Sequence, residues 1–96
     1  MLSGRVAIVT GSGRGIGAAT ARLFGREGAK VVVNDLDVDT AEESAAAVRA
    51  AGGEAAVVVG SVADGALPAQ LVECAVETFG GIDAIVNNAG FLYDGS

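Results

Sequence analysis

The feature that most constrains this fold is a set of four short apolar runs, each continuous rather than alternating. A strand that is buried on both faces reads as such a run, whereas a strand with one solvated face alternates. Longer segments with helical spacing of apolar residues separate the runs, as crossovers between parallel strands require. The pattern predicts an α/β fold: one parallel sheet with right-handed crossovers. The predicted strands are residues 6–9, 31–33, 55–59 and 82–86.

Three helices are predicted between these strands. The first spans about residues 16–27, and Gly28 follows it at a position where a left-handed backbone is favoured. The second has Asp39 as its N-cap and runs to residue 48. The apolar face of the first helix is predicted to consist of Ile16, Ala19, Leu23 and Phe24.

The third helix is predicted over about residues 64–79. Pro68 has no amide hydrogen and is therefore expected in the first turn. The lone cysteine lies on the inward side of this helix, where packing is its expected role. That inward side comprises Leu67, Leu71, Cys74, Ala75 and Thr78.

Length and charge exclude several classes of protein. The 96 residues suffice for one small domain, and 51% of them are hydrophobic, which excludes disorder. Six basic against twelve acidic residues give a net charge of −6, which argues against nucleic-acid or anionic membrane partners. There is no histidine, so no His-based relay or metal site is expected, and the remaining carboxylates are predicted to be solvated. A single cysteine and no recognisable leader favour a cytoplasmic location.

A glycine cluster lies where the first strand hands over to the first helix. Glycines there allow a tight turn and let a pyrophosphate approach the free amides of the helix start, where the helix dipole also favours an anion. Asp35 ends the next strand, about 20 residues beyond, at the spacing expected of a carboxylate that binds the adenosine ribose. The combination predicts dinucleotide binding rather than a purely structural turn.

Other nucleotide-binding classes fit less well. A P-loop needs a lysine that this loop lacks, because Lys30 is the only lysine in the chain. A methyltransferase that binds S-adenosylmethionine could use the same glycines with Asp35 on the ribose, but Val9 and Thr10 stand where such enzymes usually have an acid. Asp35 would also repel a 2′-phosphate, so NAD is preferred over NADP, with Arg14 as the one loop residue able to tolerate that phosphate.

The sequence resembles the short-chain dehydrogenase/reductase family through two motifs, Thr10-Gly-x-x-x-Gly-Ile-Gly17 and Asn87-Asn88-Ala89-Gly90. The resemblance covers essentially the whole chain and implies a Rossmann-type doubly wound sheet of strand order 3-2-1-4, with residues 1–96 as the N-terminal part of one NAD(P)-binding domain. The segments around the motifs also resemble 3-hydroxyacyl-CoA dehydrogenase modules and bacterial 3-oxoacyl reductases. The implied activity is oxidoreduction of an alcohol, a carbonyl or an acyl thioester.

The resemblance also implies a set of cofactor-binding residues. The glycines would line the pyrophosphate, Asp35 would hold the adenine ribose, and the end of the fourth strand would lie beside the cofactor. Ser61 stands where the family usually has an aspartate on the adenine amino group, so an uncharged and weaker adenine contact is expected. The full set is Gly11, Ser12, Arg14, Gly15, Ile16, Gly17, Asp35, Ser61, Val62, Asn87, Ala89 and Gly90.

The family's catalytic serine and Tyr-x-x-x-Lys pair have no counterpart in the 96 residues. Tyr93 is the only tyrosine and is expected to be a loop residue near the cleft, so this chain alone is predicted to be inactive. The alternative is a fragment or remnant that binds NAD without catalysis. The family's sheet continues beyond a fourth strand, and its full-length members are expected to be homo-oligomers. Without a fifth strand, the fourth would be an apolar edge, which predicts marginal stability and self-association.

Overall fold

A computed structural model describes residues 3–11, 15–61 and 63–87 of the chain. Strands and helices alternate along these residues, as the sequence pattern predicts. No helix in the described ranges is long and apolar enough to cross a membrane. In chain order the elements are β1 (Val6–Thr10), α1 (Gly15–Arg26), β2 (Lys30–Asp35), α2 (Val38–Ala50), β3 (Glu54–Val59), α3 (Leu67–Phe79) and β4 (Ala84–Asn87).

The four strands form one parallel sheet in the order β3-β2-β1-β4, which confirms the predicted topology. From β1 the chain builds outward through β2 to β3, and it then returns to place β4 on the opposite side of β1. The order therefore reverses between β1 and β4. In open α/β sheets this switch point, at the carboxyl ends of the strands, is where ligands bind.

The central strands are covered on both faces, as their continuous apolar runs predict. Val31, Val32 and Val33 are all fully buried. Val31 and Val33 join a core cluster with residues of α1 and α2, whereas Val32 joins a second cluster with Leu67 and other residues of α3. Two layers of helices thus enclose the middle of the sheet, and burying these side chains supplies most of its stabilisation.

The apolar face predicted for α1 is confirmed only at Phe24, which is half-buried and packs against the core cluster that contains Val31 and Val33. Ile16 is 75% exposed and Leu23 is also exposed, whereas the buried residues of the helix are Gly17, Ala21 and Gly25. A side-chain carbon at Gly25 would lie 2.8 Å from the carbonyl oxygen of Val48 on α2. α1 therefore approaches Val48 of α2 closely at a glycine, and a periodicity argument that weights large apolar side chains does not detect this contact.

Several element boundaries also differ from the prediction, most clearly at the starts of α2, α3 and β4. Asp37, not Asp39, caps α2: Asp37 has extended backbone angles, and its carboxylate accepts the Asp39 amide at 2.9 Å. α3 begins at Leu67, because Asp64 instead accepts the Ala66 amide in a turn before the helix. Pro68 does lie in the first turn, as expected.

The later start of β4 follows from the position of Asp83. Its carboxylate accepts the amide of Val6 at 2.8 Å, and its own amide donates to the Val6 carbonyl at 2.8 Å. Arg5 lies 3.5 Å from the same carboxylate, largely exposed. Asp83 therefore joins the start of β1 to the start of β4, while its side chain stays exposed as expected of the solvated carboxylates. The expectation for Cys74 is confirmed, because this half-buried residue packs against the α3 cluster.

Candidate dinucleotide-binding site

The carboxyl ends of β1 and β4 are joined by side chains. Thr10 ends β1 and is buried, and its hydroxyl donates to the side-chain oxygen of Asn87 at 3.0 Å. Asn87 ends β4 and is paired in register with Thr10. Because the hydroxyl engages the amide oxygen, the amide nitrogen of Asn87 is turned away from Thr10. The predicted site residue Asn87 is thus placed at the switch point with a fixed side-chain orientation.

The start of α1 carries two glycines in the left-handed region. Gly11, directly after β1, has φ +63°, and Gly15, the first residue of α1, has φ +62°. Both values favour glycine over residues with a side chain. A side-chain carbon at Gly15 would meet no atom of the described residues within 4 Å, so these residues leave the space beside the helix start open. The first turn contains no acidic residue, which leaves the positive end of the helix dipole available to an anion.

Gly17 and Ile16 follow in the same first turn but face differently. Gly17 is buried against the body of the protein, whereas Ile16 is largely exposed. Gly17 therefore serves the close packing of the helix, and Ile16 lies at the surface beside the helix start. The structure brings Gly11, Gly15, Ile16 and Gly17 together at the carboxyl end of β1, as the sequence predicts.

Asp35 ends β2 at the same edge of the sheet. One oxygen of its carboxylate accepts the amide of Asp37 at 3.2 Å, which orients the side chain. Asp37 and Asp39 follow at the start of α2, so the surroundings of Asp35 are acidic. The nearest basic residues of these elements lie at their other ends, Lys30 at the start of β2 and Arg49 in the last turn of α2. A second negative group would therefore be repelled here.

Ser61 follows β3, next to the end of β2. The Gly60 amide donates to the carbonyl of Asp35 at 3.1 Å, which extends the pairing of the two strands by one residue. The hydroxyl oxygen of Ser61 accepts the Ala63 amide at 3.0 Å, and the Ser61 carbonyl accepts the Asp64 amide at 2.9 Å. These bonds close a turn immediately after Ser61. The structure therefore brings Ser61 and Asp35 to adjacent strand ends.

Sequence reasoning missed Asn34, which precedes Asp35. Its side-chain amide donates to the carbonyl of Val58 at 2.9 Å and to that of Gly60 at 3.3 Å. The only signal in the sequence was a polar residue directly after the apolar run of β2. Nothing in that signal indicated which strand would accept its hydrogen bonds.

A cavity of about 260 Å³, also missed, lies on the α3 side of the same strand ends. Thr10, Ile85 and Asn87 form its wall on the sheet, and Leu67 and Leu71 form its wall on α3. Its lining is mainly apolar. The switch point between β1 and β4 therefore borders an apolar recess as well as the start of α1.

No metal-binding group of three His, Cys, Asp or Glu side chains occurs within the described ranges. The described part of the site offers a helix start for an anion, a carboxylate for hydroxyl groups, and hydroxyl and amide groups at strand ends. The predicted residues outside the described ranges are Ser12, Arg14, Val62, Asn88, Ala89, Gly90 and Tyr93.

Comparison with known proteins agrees with this arrangement. The family model for short chain dehydrogenase matches residues 5–96. A 2,5-dichloro-2,5-cyclohexadiene-1,4-diol dehydrogenase of Sphingobium indicum is 44% identical over 94 residues, which cover 98% of this chain and 38% of that protein. The peroxisomal multifunctional enzyme type 2 of Drosophila melanogaster is 49% identical over 102 residues, which cover 97% of this chain and 17% of that enzyme.

Solved structures share the fold. A hydroxysteroid dehydrogenase from Escherichia coli superposes with a TM-score of 0.87 at 36% identity, covering 93% of this chain and 38% of that chain. A short chain dehydrogenase from Mycobacterium avium gives 0.85 at 48% identity, covering 93% and 34%. The chain thus spans 38% or less of each of these four proteins. Its sequence, sheet order and fold place it in the short-chain dehydrogenase family.

Proposed function

We propose that this chain is the NAD-binding part of an NAD-dependent dehydrogenase. The observation that carries the proposal is the oriented carboxylate of Asp35 at the end of β2, at the same edge of the sheet as the glycines that open α1. A carboxylate in that position accepts hydrogen bonds from the hydroxyls of the adenine ribose. Three of the four relatives described above are dehydrogenases by name, which supports the assignment to this class of reaction.

The described residues fit a dinucleotide. The open space at Gly15 and the absence of acidic residues in the first turn of α1 suit a pyrophosphate, whose charge the helix start stabilises. Asp35 then orients the ribose, and the Thr10–Asn87 pair fixes the strand ends at the switch point. When bound, NAD supplies the hydride acceptor of the reaction. The residues described here bind and orient it.

The preference for NAD over NADP rests on charge. Asp35 at the end of β2 is followed by Asp37 and Asp39 at the start of α2, and the basic residues of β2 and α2 are at the far ends of those elements. These carboxylates would repel a 2′-phosphate because like charges repel. The 2′-hydroxyl of NAD would instead donate a charge-assisted hydrogen bond to Asp35. Arg14 lies outside the described ranges and remains the one loop residue predicted to tolerate a 2′-phosphate.

The remaining functional assignments are proposals for the whole protein. We expect its substrate to be an alcohol, a carbonyl compound or an acyl thioester, as the resemblance to hydroxyacyl dehydrogenases and oxoacyl reductases suggests. A cytoplasmic location and a homo-oligomeric full-length form remain predictions. The 96 residues alone are predicted to bind NAD without turnover. Oxidation of NADH by the purified chain with a carbonyl substrate would contradict that prediction.

Titration of the chain with NAD and with NADP, followed by calorimetry, tests the proposal. Hydrogen bonds to charged groups contribute about 1.5–3 kcal/mol, so we expect Asp35→Asn to weaken NAD binding about 10-fold or more. The matched control is Asp39→Asn, which removes the same charge from the start of α2 and is expected to change NAD affinity less than about 3-fold. Wild-type chain is expected to bind NAD at least about 10-fold more tightly than NADP.

Two results would count against these statements separately. Equal affinity for both dinucleotides, or tighter binding of NADP, contradicts the cofactor preference while leaving dinucleotide binding intact. Failure to bind either dinucleotide contradicts the proposed function itself.

A further inference from the structure

Asn34 is the most deeply buried polar side chain among the described residues, and it directly precedes Asp35 of the cofactor site. Asn34 is 1% exposed, in the same strand as the fully buried valines of β2. An amide in such a place is costly unless its groups are hydrogen-bonded. An apolar side chain would pack there without that requirement, so the amide calls for an explanation beyond core packing.

The bonds of Asn34 join the carboxyl ends of two strands. Its amide nitrogen donates to the carbonyls of Val58, in β3, and Gly60, just beyond β3, at 2.9 and 3.3 Å. The Gly60 amide in turn donates to the carbonyl of Asp35 at 3.1 Å. Gly60 is thus held through both its carbonyl and its amide by two consecutive residues of β2. The chain leaving β3 is fixed against β2 at the edge that carries the site.

Both residues next to this junction belong to the predicted adenosine site. Asp35 follows Asn34 directly, and Ser61 follows Gly60 directly. We propose that Asn34 is a positioning residue for the adenosine end of the dinucleotide: by holding Gly60 it sets the separation between Asp35 and Ser61, which flank the adenosine. The inference rests on the proposed function, because it assumes that Asp35 holds the adenine ribose.

A positioning role and a purely structural role differ in what they change. If Asn34 only stabilises the sheet, its removal lowers stability and affects binding no more than any equally destabilising change. If it sets the gap between the two strand ends, its removal weakens binding of adenosine compounds specifically. Anion binding at the start of α1, which is on the other side of β2, is then unaffected.

The experiment compares Asn34→Ala with Val32→Ala in the 96-residue chain. Val32 is fully buried, two residues earlier in β2 and in the core cluster that faces α3, but it has no side-chain hydrogen bonds to lose. Two probes are titrated by calorimetry below the unfolding range of both variants: AMP for the adenosine site and inorganic pyrophosphate for the glycine loop. Asn34→Thr, which keeps one donor, serves as the milder variant if Asn34→Ala does not fold.

We expect Asn34→Ala to weaken AMP binding about 10-fold and to leave pyrophosphate binding within about 2-fold. Val32→Ala is expected to lower the melting temperature while changing neither affinity, and Asn34→Thr to weaken AMP binding less than Asn34→Ala does. The inference is overturned if the Asn34 variants bind AMP as wild type does, or if Val32→Ala loses as much AMP affinity. If wild-type chain binds neither AMP nor NAD, the proposed function fails and the inference fails with it.

Discussion

Gly15 shows how a single backbone angle prepares the start of α1 for a ligand. Its φ of +62° lies in the left-handed region, which costs a residue with a side chain about 1–2 kcal/mol. Among the described residues, no atom lies within 4 Å of the place where its side-chain carbon would be, so the cost of a substitution comes from the backbone and not from a clash.

We predict that Gly15→Ala lowers the free energy of unfolding by about 1 kcal/mol. The control is Gly65→Ala, because Gly65 also has open space around it but no positive φ, and it is expected to change stability by less than about 0.5 kcal/mol. Urea unfolding of the two variants beside wild type measures the difference. Equal stability of all three proteins would show that the backbone at Gly15 is not strained by a side chain.

At the scale of the residue, the sequence predicted the placement of those candidate site residues whose location follows from position along the chain. Gly11 and Gly15 follow a strand and open a helix, and Asp35 ends the next strand. Asn34 could not be predicted in the same way. Its hydrogen-bond partners Val58 and Gly60 lie 24 and 26 residues further on, so its role depends on the lateral register of two strands.

At the scale of the helices and strands, the contact between α1 and α2 also depends on residues that are distant in the sequence. The existence of every strand and helix in the described ranges was predictable, because continuous apolar runs and helical spacing are local signals. The buried face of α1 was not, since Gly17, Ala21 and Gly25 carry little hydrophobic signal, and at Gly25 the helix lies directly against Val48 of α2. The true cap of α2 was also ambiguous, because Asp37 and Asp39 are both acceptable caps and only the backbone angles choose between them.

We predict that Gly25→Ala destabilises the protein, although alanine is the better helix former. In an exposed helix this exchange gains about 1 kcal/mol. Here the new carbon would lie 2.8 Å from the Val48 carbonyl oxygen and 2.9 Å from a Val48 methyl group, so α1 and α2 must move apart. Overpacking of this kind costs about 1–3 kcal/mol.

Thermal unfolding checks this prediction. A net loss of about 1 kcal/mol corresponds to a melting temperature lower by about 4–8 °C in a domain of this size. Gly81→Ala is the control, because no atom lies within 4 Å of that position and its φ is not positive. A melting temperature for Gly25→Ala at or above that of wild type would mean that the two helices can separate without loss of packing.

At the scale of the whole molecule, the side formed by α3 and β4 exposes apolar side chains next to an edge strand. Within the described ranges β4 pairs only with β1, and Ile85 in β4 is 60% exposed. Val72 and Val76 on α3 are exposed as well, and the apolar cavity lies between the two elements. An edge strand with exposed apolar side chains is a template for pairing with another chain. The relatives that share the fold are more than twice as long as this chain.

We therefore predict that the 96-residue chain self-associates in a concentration-dependent manner, and that Ile85→Lys reduces this association. A charge on the exposed side chain of an edge strand opposes strand pairing between molecules. Leu23→Lys is the matched control: it also removes an exposed apolar side chain, but from α1 on the other face of the sheet, and it is expected to leave association unchanged. Sedimentation velocity over a 100-fold range of concentration measures the effect. If the wild-type chain stays monomeric throughout and melts cooperatively, the side formed by α3 and β4 does not mediate self-association. If both lysine variants reduce association equally, the effect is due to net charge, since each variant changes the net charge from −6 by one positive unit.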